Sequence, residues 1–105
     1  SKVEPYDIYV IGLQELGTSL QLRKSWLNGL LKYIDSDRKE YILLHKEFLM
    51  GIANIIIIHR AHLAKISHLE SQVVPTGKGN VIGNKGASCI SFQFQETTFC
   101  FICCH

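Results

Sequence analysis

An α+β domain with a mainly antiparallel sheet is the fold that this 105-residue sequence predicts, on three observations. One stretch carries apolar side chains at helical spacing, with a single long helix as its reading. Several short segments alternate, or run continuously, in β-branched and aromatic residues, giving about six strands. A loop of four glycines and two lysines, PTGKGNVIGNKG at residues 75–86, leads into a strand instead of a helix.

The elements follow in chain order. Residues 7–13 (DIYVIGL) form a short apolar run without strict alternation, the pattern of a strand covered on both faces, and end in Gln14 and Glu15. Thr18 with Gln21 three residues on predicts a capping box at the start of a helix. Leu22, Trp26, Leu27, Leu30, Leu31 and Ile34 share one face of that helix, and Asp35, Ser36 and Asp37 close it. Gly29 weakens it by about 1 kcal/mol relative to alanine, an amount that packing can offset. Residues 41–50 (YILLHKEFLM) and 52–59 (IANIIIIH) read as antiparallel strands joined near Gly51, and residues 64–74 carry Ile66, Leu69, Val73 and Val74 with less regularity.

After the glycine loop, residues 87–95 (ASCISFQFQ) alternate Ile90, Phe92 and Phe94 against Ser91, Gln93 and Gln95. They pair with residues 98–105 as a hairpin around Glu96 and Thr97. In that last strand Phe99, Phe101, Cys103 and His105 share one face and Cys100, Ile102 and Cys104 the other. Apolar on both faces, it is predicted to be central. A central strand that runs to the last residue predicts a truncated domain, with a sheet edge left for the remainder to cover.

Composition narrows the functional classes. A net charge of +2 from 11 basic and 9 acidic residues provides no broad cationic face, so nucleic-acid binding is not expected and anion recognition must be local. The apolar run around residues 55–58 is far shorter than the roughly 20 residues of a membrane span, and the sequence reads as soluble and cytoplasmic. Cys89, Cys100, Cys103 and Cys104 cluster among strand-forming residues, as reduced core cysteines would. The CxxC spacing of Cys100 and Cys103 on an extended strand puts the two thiols on opposite faces, about 10 Å apart, which does not suit a shared metal or a disulfide.

The loop at 75–86 suits a phosphate. Its glycines admit the positive φ angles that turn successive N–H groups toward one anion, while Lys78 and Lys85 add full charges. Two familiar phosphate loops fail here: a dinucleotide fingerprint would need glycine at Ile82, and a Walker A loop would need four residues between Gly79 and Gly83. The plain alternative is a surface turn. Glu15, directly after a strand, has the chemistry to ligate a hard cation, against the alternative of a solvated turn glutamate. Asn84 offers two hydrogen-bond donors and Lys85 a point charge. His105 ends a buried strand where its polar tip can emerge into a cleft; His45, His59, His62 and His68 read as sheet or strand-end residues without a metal-ligating cluster.

Taken together, YDIYVIGLQE (residues 6–15), MGI (50–52), TGKGNVIGNKGASCISF (76–92) and FICCH (101–105) resemble the catalytic domain of the inositol polyphosphate 5-phosphatases, within the endonuclease/exonuclease/phosphatase superfamily. The resemblance covers nearly the whole chain. It implies a partial β-sandwich flanked by helices, Mg2+ as cofactor with Glu15 as its ligand and a catalytic residue, His105 as a catalytic residue on the scissile phosphate, and Asn84 and Lys85 lining the substrate pocket. The implied substrate is a phosphoinositide or soluble inositol polyphosphate, with peripheral membrane contact for the lipid and no obligate oligomer. Cys103 and Cys104 stand where the family usually has Asn-Ser, and Ser88 with Cys89 replaces a more aliphatic strand start. The family's upstream asparagine, its GDxN segment and its late Asp-His pair do not fall within residues 1–105, so the chain alone is expected to be inactive. The alternatives are a phosphodiesterase or nuclease of the same superfamily, and a truncated, non-catalytic interaction module.

Overall fold

Five isoleucines and an alanine in eight residues make IANIIIIH the strand most committed to burial, and it lies in the middle of the molecule with both faces covered. The computed structural model describes residues 6–14, 17, 19–37, 39–76 and 86–105. Among these, the chain runs β1 (Ile8–Leu13), α1 (Leu20–Ile34), β2 (Tyr41–Leu49), β3 (Ile52–His59), a 3-10 helix (Arg60–Lys65), β4 (Ile66–Pro75), β5 (Gly86–Phe94) and β6 (Thr97–Cys104). The strands form two three-stranded sheets, β1-β3-β2 and β4-β5-β6, and every pairing is antiparallel.

The period of two in β3 divides its side chains between two cores. Ala53, Ile55 and Ile57 pack with Leu27 and Leu31 of α1 and with Tyr41. On the other face Ile56 packs with Ile90 and Phe92 of β5, and Ile52 with Leu49 and Cys103. The result is helix on sheet on sheet, the predicted α+β sandwich. Asn54 is the lone polar side chain within the isoleucine run; fully buried, its Nδ2 donates to the carbonyls of Ser88 (3.1 Å) and Phe101 (3.2 Å). That amide joins the two sheets with directional bonds and fixes how β3 sits over the β5-β6 hairpin.

Local chemistry sets the connections. The Ser19 hydroxyl caps α1 by accepting from Leu22 N at 3.3 Å, in place of the predicted cap at Thr18, which lies outside the described residues. Asp35 ends the helix and is buried because its carboxylate accepts from the Glu40 and Tyr41 amides at 2.7 and 2.9 Å, turning the chain into β2. Met50 (φ 49°) and Gly51 turn β2 into β3, and Gln95 (φ 54°) and Glu96 turn β5 into β6, one residue earlier than the predicted turn.

Four expectations are corrected. Leu22 is on the exposed side of α1, at 69% exposure, because the buried stripe is carried by Leu27 and Leu31 with Trp26, Leu30 and Ile34 beside them. Among the described residues β1 and β6 are edge strands, so neither is covered on both faces: Val10 and Ile102 are exposed. Of the four cysteines only Cys103 is core; Cys89 is half-buried, and Cys100 and Cys104 face outward. An apolar run therefore marked coverage correctly in β3 and overstated it at the edges.

Replacing Ile56 by alanine is expected to cost about 2–5 kcal/mol in urea unfolding, whereas Leu22→Ala should stay within about 0.5 kcal/mol of the parent. Burial, and secondarily the nearby Tyr9, raise the Tyr41 phenol above its ordinary value of 10.0. The unfolded chain then gives up this proton first, so the Tyr41 contribution is whole below about pH 10 and is lost as pH climbs through the folded-state value. Tyr41→Phe should flatten the alkaline fall in a plot of stability against pH.

Candidate functional site

Four separate segments end at one edge of the sandwich. The first is the C-terminal end of β1, where the Gln14 side chain donates from Nε2 to the Cys104 carbonyl at 3.2 Å and contacts Cys103 Sγ at 3.7 Å. Cys103 Sγ in turn donates to the Leu13 carbonyl at 3.7 Å, so β1 and β6 are joined through both side chains. The close approach has a steric condition: a Cβ on Gly12 would stand 3.1 Å from Cys103 Sγ.

The second and third segments meet at Gly86. Its N–H donates to the His105 carbonyl at 3.1 Å, and its carbonyl accepts from His105 N at 3.0 Å, which closes the open end of the β5-β6 hairpin. Gly86 has φ +153°, and a Cβ there would lie 2.5 Å from the Val74 carbonyl oxygen and 2.7 Å from Leu49 Cδ2. Only glycine fits where β4, β5 and the end of β2 crowd together. The fourth segment is the Met50–Gly51 turn itself, held by the small cluster of Leu49, Ile52 and Cys103 with Met50 against it.

Of the predicted site residues, His105 lies on this edge with an exposed side chain, as expected of a polar tip emerging from a strand end. Glu15, Asn84 and Lys85 lie outside the described residues, as do Gly77, Lys78, Gly79 and Gly83 of the loop. Their described chain neighbours are Gln14 and Gly86, both on this edge. The other histidines are engaged elsewhere: His59 Nδ1 accepts from Ala61 N, His62 meets Asp7 at 2.8 Å, and His45 lies 3.0 Å from both Glu47 and Ser71. A hollow of about 220 Å³ lined by Asp7, Ile8, His62, Phe94 and Phe99 is at the opposite end of the strands.

The buried cysteine of this edge is held as a neutral thiol. Burial, and then the neighbouring Cys104, push the Cys103 thiol up, with Gln14 and Leu13 opposing more weakly. A thiol kept neutral and already hydrogen-bonded is a poor ligand for a soft metal. Among the described residues no group of three or more histidine, cysteine or acidic side chains is gathered for a metal ion.

Sequence reasoning named Gln14 only as a neighbour of Glu15 and missed its structural task. It also missed Asn54, although a single amide within a run of isoleucines is the pattern of a buried polar crosslink. Where the resembled pattern has Asn-Ser, the Cys103 sulfur accepts from Gln14 Nε2 and donates to the Leu13 carbonyl.

Comparison with known proteins agrees with this geometry. The chain is 37% identical to rat synaptojanin-2 over 96% of its own length, spanning 7% of that relative. It is 33% identical to the yeast phosphatidylinositol 4,5-bisphosphate 5-phosphatase INP51 over 97% of its length, spanning 12%. The crystal structure of the inositol polyphosphate 5-phosphatase domain of SPsynaptojanin, in complex with inositol (1,4)-bisphosphate and calcium ion, superposes with a TM-score of 0.83 at 29% identity. That match covers all of this chain and 32% of the other. The chain is thus about a third of that domain in length and a small part of the curated relatives. The Endonuclease/Exonuclease/phosphatase family 2 model matches residues 1–105, and the chain belongs to that family.

Proposed function

We propose that this chain is the N-terminal to central part of a magnesium-dependent catalytic domain that removes the 5-phosphate from phosphoinositides or soluble inositol polyphosphates. One observation carries the reading. The ends of β1 and β6, the start of β5 and the β2-β3 turn, which are the segments on which the family resemblance rests, converge on one edge through the Gln14–Cys104 and Gly86–His105 bonds. Glu15 follows Gln14 directly and Lys85 directly precedes Gly86, so the assigned residues are attached to the segments that meet.

In this reading Glu15 provides the carboxylate that holds Mg2+, and the bound cation supplies polarisation of the phosphoryl oxygens. The Asn84 amide donates to a phosphate oxygen and Lys85 offsets its charge as a point cation. His105, fixed through its own backbone pairing with Gly86, donates an imidazole N–H to the scissile phosphate. Gln14 acts one step back, positioning the end of β1 against β6. Phosphoryl transfer also requires an attacking water held in line, and that group is assigned to the remainder of the domain. The chain by itself is therefore proposed to be inactive. Contact with a membrane surface follows only for a lipid substrate, on the cytoplasmic side; no helix among the described residues is long and apolar enough to cross a membrane.

Phosphate release from inositol (1,4,5)-trisphosphate and from phosphatidylinositol 4,5-bisphosphate vesicles tests this, using the complete domain that contains the chain. Glu15→Gln and His105→Ala are each expected to lower kcat by about 10²–10³-fold, and EDTA to abolish turnover until magnesium is restored. Unchanged, metal-independent turnover in Glu15→Gln would remove the assignment. Gln14→Ala should leave the complete domain folded while amide exchange at His105 quickens by up to about tenfold, the loss of roughly one hydrogen bond. Purified residues 1–105 should release no phosphate above the blank.

A further inference from the structure

Cys89 and Cys100 lie outside the edge just described, on the outer face of the second sheet. Their sulfurs are 3.2 Å apart. Cys89 pairs in register with Ile102 and Ser91 with Cys100, so the two cysteines are diagonal neighbours on adjacent strands, with their side chains directed to the same face. Cys100 is exposed and Cys89 half-buried. A disulfide needs the sulfurs at about 2.0 Å, roughly one ångström closer than they stand.

We infer that Cys89 and Cys100 form a reversible thiol–disulfide site that hydrogen peroxide closes across the β5-β6 hairpin. The exposed Cys100 sulfur, as thiolate, attacks one peroxide oxygen; the O–O bond breaks, and the departing oxygen takes up the thiol's released proton and leaves as water. Cys100 is now a sulfenic acid. The Cys89 sulfur then attacks Cys100 Sγ, the S–O bond breaks, and the hydroxyl leaves with the Cys89 proton as a second water. Two electrons pass from the sulfur pair to the peroxide, and a small dithiol reverses the step by exchange. The hydrogen bond shared with Cys100, and then burial, raise the Cys89 thiol above its ordinary value of 9.0, which suits Cys89 to the resolving role.

The crosslink would join the strands whose open ends carry Gly86 and His105. Cys103 and Cys104 provide comparisons within the same strand, one buried and one exposed.

The test uses hydrogen peroxide on the intact protein, an iodoacetamide quench, and chymotrypsin digestion without reduction. Chymotrypsin is needed because no lysine or arginine separates the cysteines, whereas Phe92, Phe94 and Phe99 do. The expected product is a linked peptide pair containing Cys89 and Cys100, about two mass units below the sum of the free thiol peptides, with Cys103 and Cys104 alkylated. Dithiothreitol should return both thiols, and Cys104→Ser should still form the link. Cys89→Ser should leave Cys100 as a trapped sulfenic acid, detected with dimedone, and Cys100→Ser should form no link. Recovery of Cys89 and Cys100 as separately alkylated or separately oxidised peptides from the folded parent protein, or a link that runs through Cys104 or between molecules, would overturn the inference.

Discussion

The structure depends on one strand having no solvent face. Five isoleucines and Ala53 in β3 are inaccessible to water, and their alternation feeds two cores at once: the helix packs on one side and the second sheet on the other. A shift of register by one residue would exchange those two sets and bring Asn54 to the helix, where neither Ser88 nor Phe101 could accept from it. Hydrophobic burial supplies most of the driving force, and the buried amide supplies the direction. Because β1 and β2 both pair with β3, fixing its register also fixes where Leu13 and Leu49 end. The edge at which these strands end is therefore a consequence of core packing before it is a matter of chemistry.

At that edge the connections among the described residues run through side chains of β1 and β6 and through backbone pairing. Gln14 and Cys103 link β1 to β6, and the Gly86–His105 backbone pair closes the hairpin. Gly86 is the tightest point. Its conformation and the nearness of the Val74 carbonyl exclude any side chain, so the glycine that ends the GNKG segment is required by packing, independently of whether the preceding residues bind an anion.

The sequence was most informative where one period dominated. Residues 52–59 and the Ile90-Phe92 alternation were assigned correctly because β-branched and aromatic spacing has a single reading, and the resulting strand coverage followed. It was least informative where coverage depends on distant partners. The apolar residues of β1 and β6 look the same whether a neighbour pairs beside them or not, and the edge positions of those strands are set by topology, which short-range pattern does not encode. At the helix start the Ser19 hydroxyl is the cap, while the adjacent Thr18 of the predicted capping box lies outside the described residues. At the site, His105 was readable as a polar residue ending an apolar strand. The bond from Gln14 to Cys104 was not, because it spans 90 positions in the chain.

Sulfur in place of Asn-Ser before His105 is the chain's most consequential departure from the pattern it resembles, and the structure gives the exchange a physical logic. At Cys103 the side chain faces inward, where it must fill space beside Gly12, Leu49 and Ile52 while meeting the Leu13 carbonyl and the Gln14 amide. A thiol does both: it is apolar enough for the cluster and retains one weak donor and one weak acceptor. At Cys104 the side chain faces outward and only the backbone carbonyl is used, by Gln14, so the side chain there is free to vary without altering the junction. The two cysteines are thus substitutions of different kinds, one that replaces polar bonding with packing inside the sandwich and one that leaves the support of His105 unchanged. What reaches the phosphate in the proposed reaction is the imidazole, and the backbone that carries it pairs with Gly86.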